Sequence, residues 1–396
     1  MICVETQHFN LNRFLLLAIG LWPYQRSKFS QLQATLCFGI LTSFVVFQLT
    51  ALITTKCTVD FIIKVFSTAL VFNFYVIIYS MFWINTHHVR NLLEQLHCIC
   101  NNLKDENELA IFKKYENNIR RCTVIFTSFA ICCVFIFTLL PIWPQILGTI
   151  LYINESQLQS HTIQIVTEYF VDQEKYYYLI LLHTDAVFCI GATTLTAIGT
   201  MLLGCAIHAC GIFKLASYRM EQIMTTEMIK NINLKNRAMI YNKKIFYAVE
   251  IHCKVIKFIN ALVSNFEGSF LLLIMFGVIC LSLNIFAIFR NASLGNKEAF
   301  VLHFLYVLVI FLYMLAANYA GQEILNYSAH IYFIAYNVRW YNAPLHVQKM
   351  ILLILQRGSK TFSLNIAGLF AISLECFAML TKASMSYFTV IYTMQQ

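Results

Sequence analysis

Long stretches of this chain carry no charged residue. None lies between Lys28 and Lys56, between Lys64 and Arg90, between Arg121 and Glu155, or between Asp185 and Lys214. Two further apolar stretches follow, Phe258 to Phe289 (interrupted by Glu267) and the segment between Glu298 and Glu323. Each reaches the roughly 20 residues a helix needs to cross the hydrocarbon of a bilayer. A seventh candidate, Thr361 to Gln396, differs from the rest because it holds Glu375 and Lys382 in mid-segment, seven residues apart. That spacing puts both charges on nearly one helical face. Ser363, Ser373, Ser384, Ser386, Thr389 and Thr393 share the segment with Phe, Leu and Ile. Ionisable groups facing lipid cost roughly 2.5–3.5 kcal/mol on insertion scales, so this helix is expected to face water, an ion path or polar groups of a partner.

Composition agrees. Of 396 residues, 59% are hydrophobic and 12% charged, against about 25% charged in soluble domains. The expected fold class is an all-α integral membrane protein with seven transmembrane helices. The net charge of +9 accompanies no nucleic-acid motif, so no nucleic acid is expected as partner. Most of the fourteen cysteines sit in apolar runs, where thiols act as small hydrophobes. His97-Cys98-Ile99-Cys100 has no second pair to complete a tetrahedral site, so neither a metal nor a cofactor is expected.

Basic residues give the orientation. Segments before span one, between spans two and three, four and five, and six and seven together hold 22 Lys and Arg; the alternate loops hold Lys56, Lys175, Arg290 and Lys297. The positive-inside rule then makes the N-terminus cytosolic and the C-terminus extracellular. The sequons at Asn154 and Asn291 fall in loops placed outside by this topology, as glycosylation requires; a third, at Asn326, falls inside.

Four segments follow in order. Residues 1–31 form a cytosolic N-terminal segment with an interfacial helix and Trp22 at headgroup level. Residues 32–325 form a six-helix bundle. Within it, 85–122 and 214–257 are mixed-charge segments with helical spacing (Leu92, Leu96, Ile99, Leu103) that extend the spans into the cytosol. Residues 326–360 form a cytosolic segment with an amphipathic run from Val347 to Leu355, broken at Gly358. Residues 361–396 form the seventh span.

Four short motifs stand in sequence: Gly20-Leu21-Trp22-Pro23, Gly321-Gln322-Glu323-Ile324, Trp340-Tyr341-Asn342-Ala343-Pro344, and Ser384-Met385-Ser386-Tyr387-Phe388-Thr389-Val390. With the inverted seven-span topology, the chain resembles the insect odorant receptors over essentially its full length. The resemblance implies an odorant-gated, non-selective cation channel subunit that forms a hetero-tetramer with a co-receptor. Its partners would be a small volatile organic ligand, monovalent and divalent cations and the lipid bilayer, in the plasma membrane of sensory neuron dendrites. It also implies that the seventh span lines the pore, with Val390 and Met394 at the gate and Thr393 on the polar face. Met394 stands where a branched aliphatic is usual. The segment 326–360 would anchor subunits together.

The same resemblance implies a ligand pocket in the outer half of the bundle, between spans two, three, four and six. Such a site is mostly apolar with a few polar groups. Helical spacing then offers Phe66, Leu70, Asn73 and Phe74 on span two, and Cys133, Ile136, Phe137 and Leu140 on span three. Span four offers His183, Val187 and Ile190; span six offers His303, Tyr306, Ile310 and Tyr313. Any one aromatic at such spacing also fits ordinary helix packing, whereas Asn73 at mid-depth needs a polar partner. Glu375 and Lys382 are either pore-facing or a pair buried against neighbouring helices that fixes the register of the last span.

Other classes fit less well. A receptor signalling through a G protein has its N-terminus outside, against the charge bias, and span seven has no Asn-Pro-x-x-Tyr. A secondary transporter would show inverted repeats and helices broken at mid-depth. No His, Asp and Glu cluster has catalytic spacing, so an enzyme is not expected.

Overall fold

The computed structural model describes residues 9–25, 27–55, 58–103, 105–142, 165–223, 234–338, 340–358 and 364–395. Its helices are α1 (Asn10–Ala18), α2 (Lys28–Thr54), α3 (Val59–Ile84), α4 (Thr86–Asn101), α5 (Glu106–Leu139), α6 (Tyr177–Glu221), α7 (Leu234–Leu294), α8 (Lys297–Asn337), α9 (Leu345–Gly358) and α10 (Leu374–Met394). A two-stranded antiparallel hairpin, β1 (Asn365–Ile366) and β2 (Phe370–Ala371), precedes α10. Among the described residues, α2, α3, α5, α6, α7 and α8 are long and apolar enough to cross a membrane. α6 and α7 form the hub. α6 packs against α1, α2, α3, α5, α7 and α8, and α7 against α3, α8, α9, α10 and the hairpin.

Within the described residues, the mixed-charge segments form α4, the start of α5, the end of α6 and the start of α7. α6 runs on to Glu221 and α7 begins at Leu234, so both continue well past their apolar stretches. α4 buries Leu92, Leu96 and Ile99 and leaves its charged face outward. At this basic end the helices are also tied by charge. Glu108 near the start of α5 receives two bonds from Arg219 near the end of α6, Nε at 2.6 Å and Nη2 at 2.9 Å. Arg219 also donates to the Tyr247 carbonyl of α7 at 3.3 Å. One fork-shaped cation thus joins three helices, a geometry lysine cannot copy.

The N-terminal helix belongs to the bundle. α1 packs against α6 and α5 and leaves Phe14 exposed on its other side. Leu16 is fully buried, and the buried Asn12 Oδ1 lies 3.2 Å from the Thr200 hydroxyl of α6. Trp22 is buried, with the Arg13 guanidinium 5.9 Å from its ring centre. The turn between α1 and α2 explains the first motif. Gly20 has φ +74°, and a Cβ there would fall 2.8 Å from the Ser30 carbonyl and 2.9 Å from the Ala34 nitrogen. Only glycine adopts that conformation at that closeness without strain. The Tyr79 hydroxyl of α3, 2.8 Å from the Ile19 carbonyl and 3.0 Å from that of Ala34, locks the turn onto the bundle.

The last segment is corrected. Its helix starts at Leu374, not near Thr361, because the hairpin occupies residues 365–371. Glu375 therefore lies in the first turn of α10 rather than in mid-span. A carboxylate there complements the positive end of the helix dipole. Glu375 and Lys382 are both exposed and form no ion pair with each other among the described residues. Two turns of helix, about 10 Å of rise, hold them apart. The reading of the two as a mutual pair is set aside.

α8 runs unbroken through residue 326 to Asn337, so the anchor segment begins as a continuation of span six. α9 buries Val347 and Ile351 in a second apolar cluster with Met220, Tyr241 and Ile245, and Trp340 packs on the same cluster. The opposite side of α9 leaves Leu345, Leu352 and Leu353 exposed. Residues 359–363 and Asn154 lie outside the described residues. Asn291 lies on the last turns of α7 with its amide donating to the Ala287 carbonyl at 2.7 Å.

Replacing Glu108 by Gln keeps the shape and removes the charge that Arg219 faces. Loss of a bidentate, largely buried pair should cost about 2–3 kcal/mol. A lowered unfolding temperature in detergent checks this; an unchanged one would mean the Tyr247 carbonyl suffices to hold Arg219.

Candidate ligand chamber

Away from the basic end, α3, α5, α6 and α8 meet around an aromatic cluster. Tyr306 of α8 stacks on Phe137 of α5 at 5.4 Å, and Phe137 stacks on Phe188 of α6 at 4.5 Å. Phe72 of α3 meets Phe188 and Tyr306 edge-on. Aromatic pairs in these offset and edge geometries are each worth about 0.5–1.5 kcal/mol beyond their buried area. Just beside the cluster lies a chamber of about 20 Å³ lined by Val71, Phe74, Tyr75, Phe137, Leu195, Tyr306, Val309, Ile310 and Tyr313. It is about the size of one water. Gly191 seats one wall, since a Cβ there would collide with the Tyr75 ring. Phe74 and Tyr313, edge to face at 5.8 Å, line both the chamber and a larger cavity of about 240 Å³.

One polar atom stands out in this apolar setting. Tyr306 is 1% exposed, and its hydroxyl has no hydrogen-bond partner among the described residues. A buried hydroxyl without a partner costs about 1–3 kcal/mol. Any molecule that offers it a donor or acceptor recovers that cost on binding.

The structure brings five of the sequence candidates together here: Phe74, Phe137, Tyr306, Ile310 and Tyr313. Cys133 lines the larger cavity instead. The others lie elsewhere, each for a physical reason. Phe66 and Ile136 are exposed on the outer faces of α3 and α5, and Leu140 caps α5 half-buried. Leu70 and Val187 are core residues, and Ile190 packs against that core. Asn73 finds its partner on its own helix, donating to the Ala69 carbonyl at 2.9 Å, and does not line the chamber. His183 is held by the Tyr169 hydroxyl at 2.8 Å and the Ser43 hydroxyl at 3.3 Å. It fastens the loop before α6 to α2, and burial pushes the Tyr169 hydroxyl up to about 12, so that residue stays neutral.

His303 is buried against Asn284 of α7, Nδ1 to Oδ1 at 2.8 Å. That oxygen can only accept, so His303 carries its proton on Nδ1. The Asn284 amide in turn donates to the carbonyls of Ser67 and Cys280 at 2.8 Å each. The three-helix junction is thus complete without a ligand. Val71, Tyr75, Leu195 and Val309 are lining residues that sequence spacing missed. Helices apolar all round carry no stripe to fix which face turns inward.

On α10, Val390 is 52% and Met394 81% exposed on the single chain. Thr393 is exposed, its hydroxyl within 3.1 Å of the Thr389 and Val390 carbonyls.

Comparison with known proteins places this geometry. The family model described as 7tm Odorant receptor matches residues 58–385. The chain belongs to the odorant receptor family. The odorant receptor coreceptor of Drosophila melanogaster is 26% identical over 168 residues, 40% of this chain and 32% of that protein. That of Aedes aegypti is 24% identical over 159 residues, with the same coverage. These matches span about a third of the length of the curated relatives. The structure of the insect olfactory receptor OR5 from Machilis hrabei in complex with eugenol superposes with a TM-score of 0.74 at 16% identity, covering 98% of this chain and 97% of that one. A second structure of the same receptor gives a TM-score of 0.76 at 15% identity, covering 97% of each chain. The chain therefore has the insect olfactory receptor fold and is a multi-pass membrane protein of a receptor family, not of an enzyme family.

Asn284→Ala leaves His303 Nδ1 without its acceptor and should cost about 2 kcal/mol. Asn73→Ala, which removes only a bond within one helix, should stay within about 0.5 kcal/mol. Unfolding temperatures of the two variants in detergent test the contrast; equal losses would contradict it.

Proposed function

We propose that the chain is an odorant-gated, non-selective cation channel subunit acting with a co-receptor, and that the aromatic chamber receives the odorant. The observation that carries the reading is the unpartnered Tyr306 hydroxyl inside a cluster of Phe and Tyr rings. A small volatile supplies apolar area and one or two polar atoms, which is what this wall asks for. The chamber's volume of about 20 Å³ means that binding turns the Phe74 and Tyr313 rings aside. That motion is the first link between ligand and pore. Eugenol is the ligand of the Machilis hrabei receptor complex; it supports a small aromatic or aliphatic ligand class here without naming one.

In this reading the basic end faces the cytosol and α10 exits outward as a seventh span beside the conduction route. Val390 and Met394 form a hydrophobic gate that closes by dewetting, with Thr393 and the exposed Lys382 toward the polar path. The exposed Leu345, Leu352 and Leu353 of α9 are the apolar face offered to a neighbouring subunit. Asn154 and Asn291 would be glycosylation sites on the outside, and the plasma membrane of sensory neuron dendrites the place of action. Signalling through a G protein instead is disfavoured by the charge bias.

Current recordings from cells expressing the chain with and without a co-receptor, with G-protein signalling blocked, test the proposal. Odorant-evoked current should persist under the block and require both subunits; its loss under the block would overturn the channel reading. Tyr306→Phe removes the hydroxyl and keeps the ring. For an odorant with a polar group, it should raise the half-effective concentration about tenfold and spare current evoked by a co-receptor agonist. Equal loss of both currents would make Tyr306 a structural residue.

A further inference from the structure

A groove of about 590 Å³ opens at the basic end, between α1 and α5. Its lining includes Asn10, Asn12 and Phe14 of α1 and Arg120 and Val124 of α5. It shares no residue with the aromatic chamber or with the larger cavity beside it. The start of α1 is firmly seated. Phe9 is buried with its ring 5.6 Å from that of His208, and Gly204 of α6 makes room for it. A Cβ on Gly204 would fall 2.8 Å from the Phe9 ring.

The chemistry of the groove is that of an anion site. The first hydrogen bond of α1 runs from the Arg13 N–H to the Phe9 carbonyl at 2.6 Å. The N–H groups of Asn10, Leu11 and Asn12 therefore have no acceptor within the helix. No side chain caps them among the described residues, and no acidic residue stands in the first turn. The positive end of this helix dipole thus lacks a negative partner there. A second donor is independent of the backbone. Asn12 is 1% exposed, and its Oδ1 accepts from the Thr200 hydroxyl at 3.2 Å. Its Nδ2 has no hydrogen-bond partner among the described residues. On the other wall Arg120 is exposed and joins no ion pair among the described residues. Glu116, one turn before Arg120 on α5, is not a lining residue, and no other acidic side chain lines the groove.

The apolar part of the lining says where the anion comes from. Phe14 is 68% and Val124 47% exposed, and a soluble phosphate gains nothing from either. Arg120 and Arg121 are also the last charges before the charge-free stretch of α5. A phospholipid phosphate sits at that boundary, where its acyl chains can follow Val124, Ile125 and Phe135, all exposed on α5. Donors and a cation without a lining acid favour a lipid of net negative charge. We infer that this groove binds the phosphate of an anionic phospholipid, held by the N-terminus of α1, the Asn12 amide and the Arg120 guanidinium. The lipid supplies α1 with the cap its own sequence lacks. Under the orientation proposed above it comes from the cytosolic leaflet, the one that carries anionic lipid.

The test titrates the delipidated full-length chain, in neutral detergent, with phosphatidylserine and with phosphatidylcholine, counting bound lipids by native mass spectrometry. One phosphatidylserine is expected to bind about tenfold more tightly than phosphatidylcholine. Arg120→Gln should remove that preference. Arg121→Gln takes away the same charge one residue on, outside the groove lining, and should change the affinity less than about twofold. Both arginines are exposed, so neither change disturbs the core. Millimolar inorganic phosphate should not displace the bound phosphatidylserine. Equal affinity for the two lipids, an unchanged preference in Arg120→Gln, or equal losses in the two arginine variants would overturn the site. Displacement by inorganic phosphate would overturn the lipid as its occupant.

Discussion

A backbone amide or carbonyl left unpaired in hydrocarbon costs several kcal/mol, and this one constraint governs the chain from Lys28 to Asn337. It forces each apolar stretch into a helix that satisfies its own main chain. It also governs the side chains. Thr42, Asn73, Thr184 and Asn318 each turn back to a carbonyl four residues earlier, because no water competes for them. Where polar groups do cross between helices, they come as completed sets such as Ser67, Asn284 and His303. The hairpin before α10 breaks the helical pattern; Glu267 of α7, the charge that interrupts an otherwise apolar stretch, accepts from the Ala367 N–H in its turn, and Gln322 of α8 accepts from the Leu374 N–H that opens α10.

Against that background the unpartnered Tyr306 hydroxyl is an exception with a use. Other buried polar atoms without a partner among the described residues, such as Gln48 Oε1 and Asn12 Nδ2, line no part of the chamber, whereas the Tyr306 hydroxyl belongs to a residue of its wall. The rings around it have edge and face contacts that can rearrange without breaking a hydrogen bond, which makes the chamber soft where the Asn284 junction is stiff. The larger cavity shares Phe74, Tyr75, Phe137, Leu195, Val309 and Tyr313 with the chamber and reaches the hairpin at Ile366 and Phe370.

Element existence was legible in the chain because charge-free length is a strong signal: α2, α3, α5, α6, α7 and α8 each hold all or most of one charge-poor stretch. Leu92, Leu96 and Ile99 showed their buried face because charged neighbours mark the other one. Inside the membrane that contrast vanishes, and the inward face of α3 was misread: Asn73 looked like the residue seeking a partner, while Val71 and Tyr75 line the chamber. Asn73 was misjudged because a helix supplies its own carbonyl to such a side chain. The start of α10 was hidden for a different reason. Nothing in Leu364 to Ala371 marks a hairpin until Glu267, about a hundred residues away, is seen to accept from its turn. Trp22 read as an interfacial anchor because burial by α1 and α2 depends on the turn at Gly20.

The proposed polarity, with the basic end in the cytosol and the last helix leaving on the outer side beside a conduction route, rests on the charge bias. An epitope fused after Gln396, probed with antibody on intact cells alongside one placed before Met1, measures this directly. Labelling of the C-terminal epitope without permeabilisation, with the N-terminal one silent, is the predicted result. The reverse pattern would contradict the orientation and, with it, the assignment of α10 to the pore.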